Sequence, residues 1–222
     1  LRAILGGDHL NNFIVPTIEN PMVNLAQMPC NQAGWIRTFS QLIHENPINF
    51  DAVDSPNNFT AQTLLLMALT ADQKEMILQL VRRELHHTDP VSRRRKRITE
   101  GLRQLVEHYN WVGFYVMNPV EKTLHLAEYT GAATDHTVIP YGKGICGQVA
   151  VSGKTFVAQD VHAESNYIAC SIDVVAEIVV PIYRGSTLVA QLDIDSHAQA
   201  PFTADEQDFM EKVCRDLGLL FE

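Results

Sequence analysis

Two cysteines and three acids carry the chemistry this sequence offers. Cys146 stands in the glycine-rich stretch "YGKGICGQ", and Cys170 follows the polar loop "QDVHAESN" and precedes Glu177 by seven residues. The remaining cysteines of the 222-residue chain are Cys30 and Cys214. A thiol at a helix N-terminus is favoured as thiolate by the helix dipole, and the glycines before Cys146 predict a short helix starting there. Cys170 is expected on a loop, whereas Cys30 and Cys214 read as small buried hydrophobes.

The acids come from "QLDIDS" and from the start of "EIVVPIY". In a strand, alternate side chains share a face, so Gln191, Asp193 and Asp195 point one way and the two carboxylates lie about 7 Å apart. If "RGS" is a three-residue loop pairing Tyr183 with Thr187, Glu177 falls opposite Asp193 on that same face. Three carboxyls so placed cannot all ionise cheaply, which suits an ammonium ligand, a general acid or a cation. The bland alternative is a polar sheet face turned to water. No histidine pair stands at ligand spacing nearby, His162 and His197 read as loop histidines, and no metal is expected.

The elements that must position these residues change character near residue 110. Before it the pattern is helical: "AGWIRTFSQLIHE" (33–45) has one apolar stripe, and Thr70 with Gln73 makes a capping box for "ADQKEMILQLVRREL". Asp89-Pro90 predicts an N-cap and first-turn proline for a third helix reaching about Tyr109, with Val91, Ile98, Leu102 and Leu105 on its apolar face. Its run "RRRKR", Arg93 to Arg97, reads as a solvated face, the alternative being a basic docking patch. After residue 110 come a hairpin from "WVGFYVMN" and "TLHLAEYTG", the short "GKGICGQVAVSGK" helix with a glycine cap, strand "TFVAQDV", and the paired strands "EIVVPIY" and "LVAQLDIDS". Thr203 and Glu206 form a second capping box opening a last helix. The expected fold is α+β, a mostly antiparallel sheet flanked by helices, with a helical N-terminal region over 1–89 and the sheet domain over 90–222.

Composition narrows the partners. With 17 Lys+Arg against 26 Asp+Glu the net charge is −9, a field that repels nucleic acid and anionic membranes and leaves a small molecule or a protein. No apolar run reaches the ~18 residues of a membrane span, and the N-terminus does not read as a secretory signal, so a cytoplasmic location with reduced thiols is expected.

The strings "NWVGFY", "IPYGKGICG", "DVHAESNYIAC", "EIVVPI" and "LDIDS" occur in an order and spacing that resemble the free methionine-(R)-sulfoxide reductases, a branch of the GAF domain family. The likeness runs from about Asn110 to Leu217 and implies a GAF-like sheet. It implies that Cys170 matches the catalytic thiol and Cys146 a recycling cysteine, that Glu177, Asp193 and Asp195 match substrate-binding acids, and that Trp111 and Tyr115 match aromatics flanking the ligand. The activity implied is thiol-dependent reduction of free methionine sulfoxide without a cofactor, with a thioredoxin-type reductant as partner. The chain departs from the branch in two places. His136 stands where a third cysteine is frequent, so the resolving role falls to Cys146 or Cys30. "NYIACS" and "VVAE" put Tyr167, Val174, Val175 and Ala176 where the branch has a histidine and small polar residues. The competing expectation is a GAF sensor that binds an amino acid or similar molecule without turnover, and the N-terminal region is then a relay or a homodimer contact.

Overall fold

The alternation of β-branched and aromatic residues with small or polar ones builds the centre of the molecule. The computed structural model describes residues 68–167 and 173–221; Cys30, the helix expected over 33–45, and Cys170 lie outside them. In chain order the described elements are α1 (Ala71–His86), α2 (Val91–Leu105), β1 (Trp111–Asn118), β2 (Thr123–Thr130), β3 (Val138–Pro140) and α3 (Gly144–Ser152). They continue with β4 (Phe156–Ala158), a 3₁₀ turn (Val161–Ala163), β5 (Ala176–Arg184), β6 (Thr187–Ser196), α4 (Ala204–Leu217) and a closing 3₁₀ turn (Gly218–Leu220). The strands form one antiparallel sheet in the order β3-β2-β1-β6-β5-β4.

Alternation gives the sheet two different faces. Val112, Phe114, Ile178, Val180, Leu192 and Ile194 bury one face against α1, α2 and α4, which contribute Ile77, Val81, Ile98, Leu102, Met210 and Val213. Trp111, Tyr115 and Val179 point to the other face, where α3 covers them with Ile145, Cys146 and Val149. The sheet is therefore the middle of three layers, and its second face carries the three acids and Cys146, while Cys214 belongs to the first.

Helix α1 opens on the expected capping box: Gln73 N–H donates to Thr70 Oγ1 at 3.1 Å and Thr70 N–H donates to Gln73 Oε1 at 2.9 Å. The second box is half formed. Glu206 N–H donates to Thr203 Oγ1, but the Glu206 side chain turns inward and accepts from Tyr109 Oη at 2.8 Å and pairs with His108 at 2.9 Å. Full burial of Glu206 makes those partners worth more than a surface cap. Helix α2 is also shorter than its periodicity suggests, with Pro90 at the cap, Val91 exposed and the chain extended from Val106; Asp89 pairs with Arg97 at 2.8 Å instead of capping.

The basic run on α2 is not a solvated face. Arg94 donates to the Glu84 and Leu85 carbonyls, Arg95 pairs with Glu128, Lys96 donates to the Tyr129 carbonyl, and Arg97 bridges Glu84 and Asp89. Only Arg93 is fully turned to solvent. Burial works against the Glu84 charge, but hydrogen bonds and charges from Arg97 and Arg83 prevail and hold its carboxyl below the usual range. The run thus clasps α1 and β2 onto α2, an intramolecular use of charge that periodicity does not reveal.

Candidate active site

The site begins with the β5–β6 register. The connection is a two-residue turn, Gly185-Ser186, between paired Arg184 and Thr187, with Gly185 at φ 62°. Such a turn alone would set Glu177 opposite Ile194 and send the acids to opposite faces. A one-residue bulge at Val189, between the Tyr183–Leu188 and Ile182–Ala190 pairs, restores the parity. Glu177 consequently pairs with Asp195, and Asp193 pairs with Val179, correcting the expected Glu177–Asp193 pairing and its three-residue loop. All three acids still share one face, 3%, 1% and 2% exposed.

On the neighbouring strand Trp111 pairs with Asp195, Gly113 with Asp193 and Tyr115 with Gln191, so the aromatic wall stands on the same face. The Trp111 ring stacks on Tyr129 at 5.4 Å between centroids and 19° between planes, and on Tyr115 at 6.4 Å. Its indole N–H donates to the Ala132 carbonyl, and Tyr115 Oη donates to the His136 carbonyl. Gly113 makes room for the indole: a Cβ there would lie 2.1 Å from the Trp111 ring. Tyr129 completes this wall and was missed in the sequence, where its strand reads as an ordinary hairpin arm.

Helix α3 lowers Cys146 onto the acids. Gly147 allows this approach, since a Cβ there would meet the Pro140 carbonyl at 2.6 Å. Cys146 Sγ donates to Asp193 Oδ2 at 3.2 Å and lies 4.0 Å from Glu177 Oε1. The helix-start position holds, and the sulfur faces two carboxyl groups, a setting that works against the charge the helix dipole favours. Cys214, on the inner side of α4, is buried, and burial raises its thiol well above the ordinary value, as expected of an inert core cysteine.

Removal from water dominates the electrostatics of the triad. Burial pushes Glu177 well up, and the charges of Asp193 and Asp195 add to the shift. Burial also raises Asp195 well above the usual range, with the Asp193 charge behind it. Asp193 rises to about 7, moderated by hydrogen bonds from Cys146 and Glu177. The three carboxyls are close enough that their protons belong to the group, with Asp193 and Glu177 joined by a hydrogen bond. Among the described residues no ion pair joins any of the three acids to a cation.

A cavity of about 10 Å³ opens beside the triad, lined by His136, Ile139, Lys143, Gly144, Ile145, Cys146 and Glu177. That is room for no more than one water. Tyr167 packs against the same cluster, and Val174 and Ala176 are buried. Asn166 Nδ2 donates to the Gly142 carbonyl at 2.8 Å, tying the approach to Cys170 to the turn before α3. A shallow groove of about 550 Å³ between α2 and β2 contains none of the acids or cysteines.

An antiparallel sheet with a buried polar cluster on one face and a helical layer on the other is the architecture of a GAF-type domain. The GAF domain model matches residues 92–220, and the chain belongs to that family. It is 35% identical over 121 residues to the free methionine-R-sulfoxide reductase of Saccharomyces cerevisiae, a match covering 53% of this chain and 66% of that protein. The chain thus spans somewhat less than two thirds of that curated relative. The structure of free methionine-R-sulfoxide reductase from Neisseria meningitidis in complex with its substrate superposes with a TM-score of 0.63 at 29% identity, covering 69% of this chain and 92% of the other. A putative GAF sensor protein from Burkholderia vietnamiensis superposes with a TM-score of 0.62 at 28% identity, covering 70% and 95%.

Proposed function

We propose that this chain reduces free methionine-(R)-sulfoxide through thiol chemistry, with Cys170 as nucleophile and Cys146 as resolving thiol. The observation that carries the reading is the meeting of three buried carboxyls, an aromatic wall and the Cys146 thiol on one face of the sheet. Relatives of two kinds, the yeast and Neisseria reductases, support it.

The acids bind the substrate ammonium, whose charge offsets the repulsion that keeps them protonated. Trp111 and Tyr115 flank the apolar part of the ligand. The Cys170 thiolate attacks the sulfoxide sulfur while a protonated carboxyl of the triad gives its proton to the sulfoxide oxygen. Oxygen passes to Cys170 as a sulfenic acid and methionine leaves as the sulfide. The Cys146 thiol then displaces water from the sulfenic acid to form a disulfide, and a dithiol reductant of the thioredoxin type supplies two electrons and two protons to restore both thiols. A ligand of amino-acid size exceeds the 10 Å³ cavity, so binding includes movement of its walls.

To the same reading belong a cytoplasmic location, the division into 1–89 and 90–222, and a helical N-terminal region serving homodimer contact. Among the described residues no helix is long and apolar enough to cross a membrane. The sensor reading is favoured by one observation, His136 in place of a third cysteine, and by the likeness to the Burkholderia protein. NADPH consumption with thioredoxin, its reductase and each sulfoxide epimer separates the two. Turnover of the R epimer that is lost in Cys170→Ser supports the reductase; binding without turnover supports the sensor. Mapping thiols after one equivalent of substrate is expected to show a Cys146–Cys170 link, whereas a Cys30 link would move the resolving role.

A further inference from the structure

The same triad face has a second property that reduction does not use. Cys146 Sγ, a Glu177 carboxylate oxygen and an Asp193 carboxylate oxygen all lie within 4.8 Å of one another, each from a buried residue. A tetrahedral Zn²⁺ with bonds of about 2.3 Å to sulfur and about 2.0 Å to oxygen separates those ligands by about 3.5 Å. The observed sulfur–oxygen separations, 3.2 Å to Asp193 and 4.0 Å to Glu177, bracket that edge. Two edges of such a shell are therefore close to that length, and the third, between the two carboxyl oxygens, is within 4.8 Å.

Two buried oxygens point independently to a cation. Asp193 Oδ1 and Asp195 Oδ1 have no hydrogen-bond partner in residues only 1% and 2% exposed. An orphaned carboxyl oxygen is costly to bury whether or not its group is ionised. The donor set of one thiolate and two carboxylates suits a borderline-soft divalent ion over Mg²⁺ or Ca²⁺, which take oxygen ligands alone. The small cavity against Cys146 and Glu177 leaves a fourth position for water, on the side lined by His136 and Lys143.

We infer that Cys146, Glu177 and Asp193 bind a zinc-like divalent cation in the reduced protein, and that the metal closes the site. Binding displaces the Cys146 thiol proton and the carboxyl protons to solvent and involves no change of oxidation state. The metal then holds the thiol and the acids that would otherwise meet substrate. Only this consequence, competition with methionine sulfoxide, rests on the reductase reading; the coordination rests on the geometry.

The test uses the reduced, chelator-stripped full chain without turnover. Zn²⁺ is titrated against a chromophoric chelator, and Co²⁺ serves as a spectroscopic probe. One Zn²⁺ per chain is expected, with affinity reduced at least tenfold in both Cys146→Ser and Asp193→Asn. The near-ultraviolet thiolate-to-cobalt band should vanish in Cys146→Ser. If Cys146→Ser does not fold, Asp193→Asn still decides through affinity. Undiminished Zn²⁺ affinity in a folded variant places the metal on other histidines or cysteines and overturns the inference, as does the absence of chelator competition by the parent chain. Absence of reductase activity in the chelator-stripped chain, with the Zn²⁺ titration as expected, would sink the reductase reading alone, and activity that requires Zn²⁺ would overturn the closing of the site.

Discussion

Replacing Asp193 by asparagine should change how stability depends on pH more than it changes stability itself. Asp193 is 1% exposed and its carboxyl is raised from 3.8 to about 7, mainly by burial. A raised carboxyl makes the folded chain bind more protons than the unfolded chain between the two values, so stability falls as pH rises through that window. Integrated over the whole shift this amounts to about 4 kcal/mol, of which about 2–3 kcal/mol falls between pH 5 and pH 8. The parent chain is therefore expected to lose about 1 M in urea midpoint over that interval, for a slope of about 2 kcal/mol/M. In Asp193→Asn this share of the loss disappears, because the amide still accepts from Cys146 but carries no charge. Histidines and the other acids contribute to both proteins and largely cancel in the difference, although the neighbouring shifts of Glu177 and Asp195 will relax somewhat when the Asp193 charge is removed. Urea titrations at pH 5, 6, 7 and 8 with a metal chelator present provide the assay. Parallel curves for parent and variant would refute the claim that burial of this carboxyl governs the site.

Three further outcomes follow from the packing. Gly113→Ala should push the Trp111 indole from its stack, since the new Cβ meets the ring at 2.1 Å; loss of near-ultraviolet dichroism and weaker ligand binding are expected, and an unchanged spectrum counts against the aromatic wall. Ile77→Ala, at a fully buried position of α1, should cost about 2–5 kcal/mol by thermal or urea unfolding, and a cost under 1 kcal/mol would mean that α1 is not part of this core. A chain beginning at Asp89 tests the proposed division at residue 90. It should keep the sheet but unfold at lower temperature and bind an apolar dye more strongly than one beginning at Ala68, because Ile98 and Leu102 lose their cover. Equal melting temperatures would show that α1 adds nothing.

Much of the site was legible because strand alternation is a local rule. Asp193 and Asp195 share a face with Gln191, and Trp111 shares one with Tyr115, whatever the rest of the chain does. The Thr70 cap is equally local, settled by backbone donors that need partners, and the helix beside Cys146 starts where Gly142 and Gly144 take a left-handed conformation. Register is different, because it depends on pairing between strands. The turn is shorter than expected, and the Val189 bulge that compensates carries no turn residue to announce it; its parity is decided by which side chains the two faces can bury. Long-range charge was hidden too. The "RRRKR" run reads as solvated until α1 and β2 bring Glu84 and Glu128 to it, and Glu206 reads as a cap until Tyr109 arrives from 97 residues away. Cys146 makes the same point at the centre of the site. Sequence places its sulfur at a helix start, but only the tertiary fold sets it 3.2 Å from Asp193 Oδ2, on a strand 47 residues further along the chain.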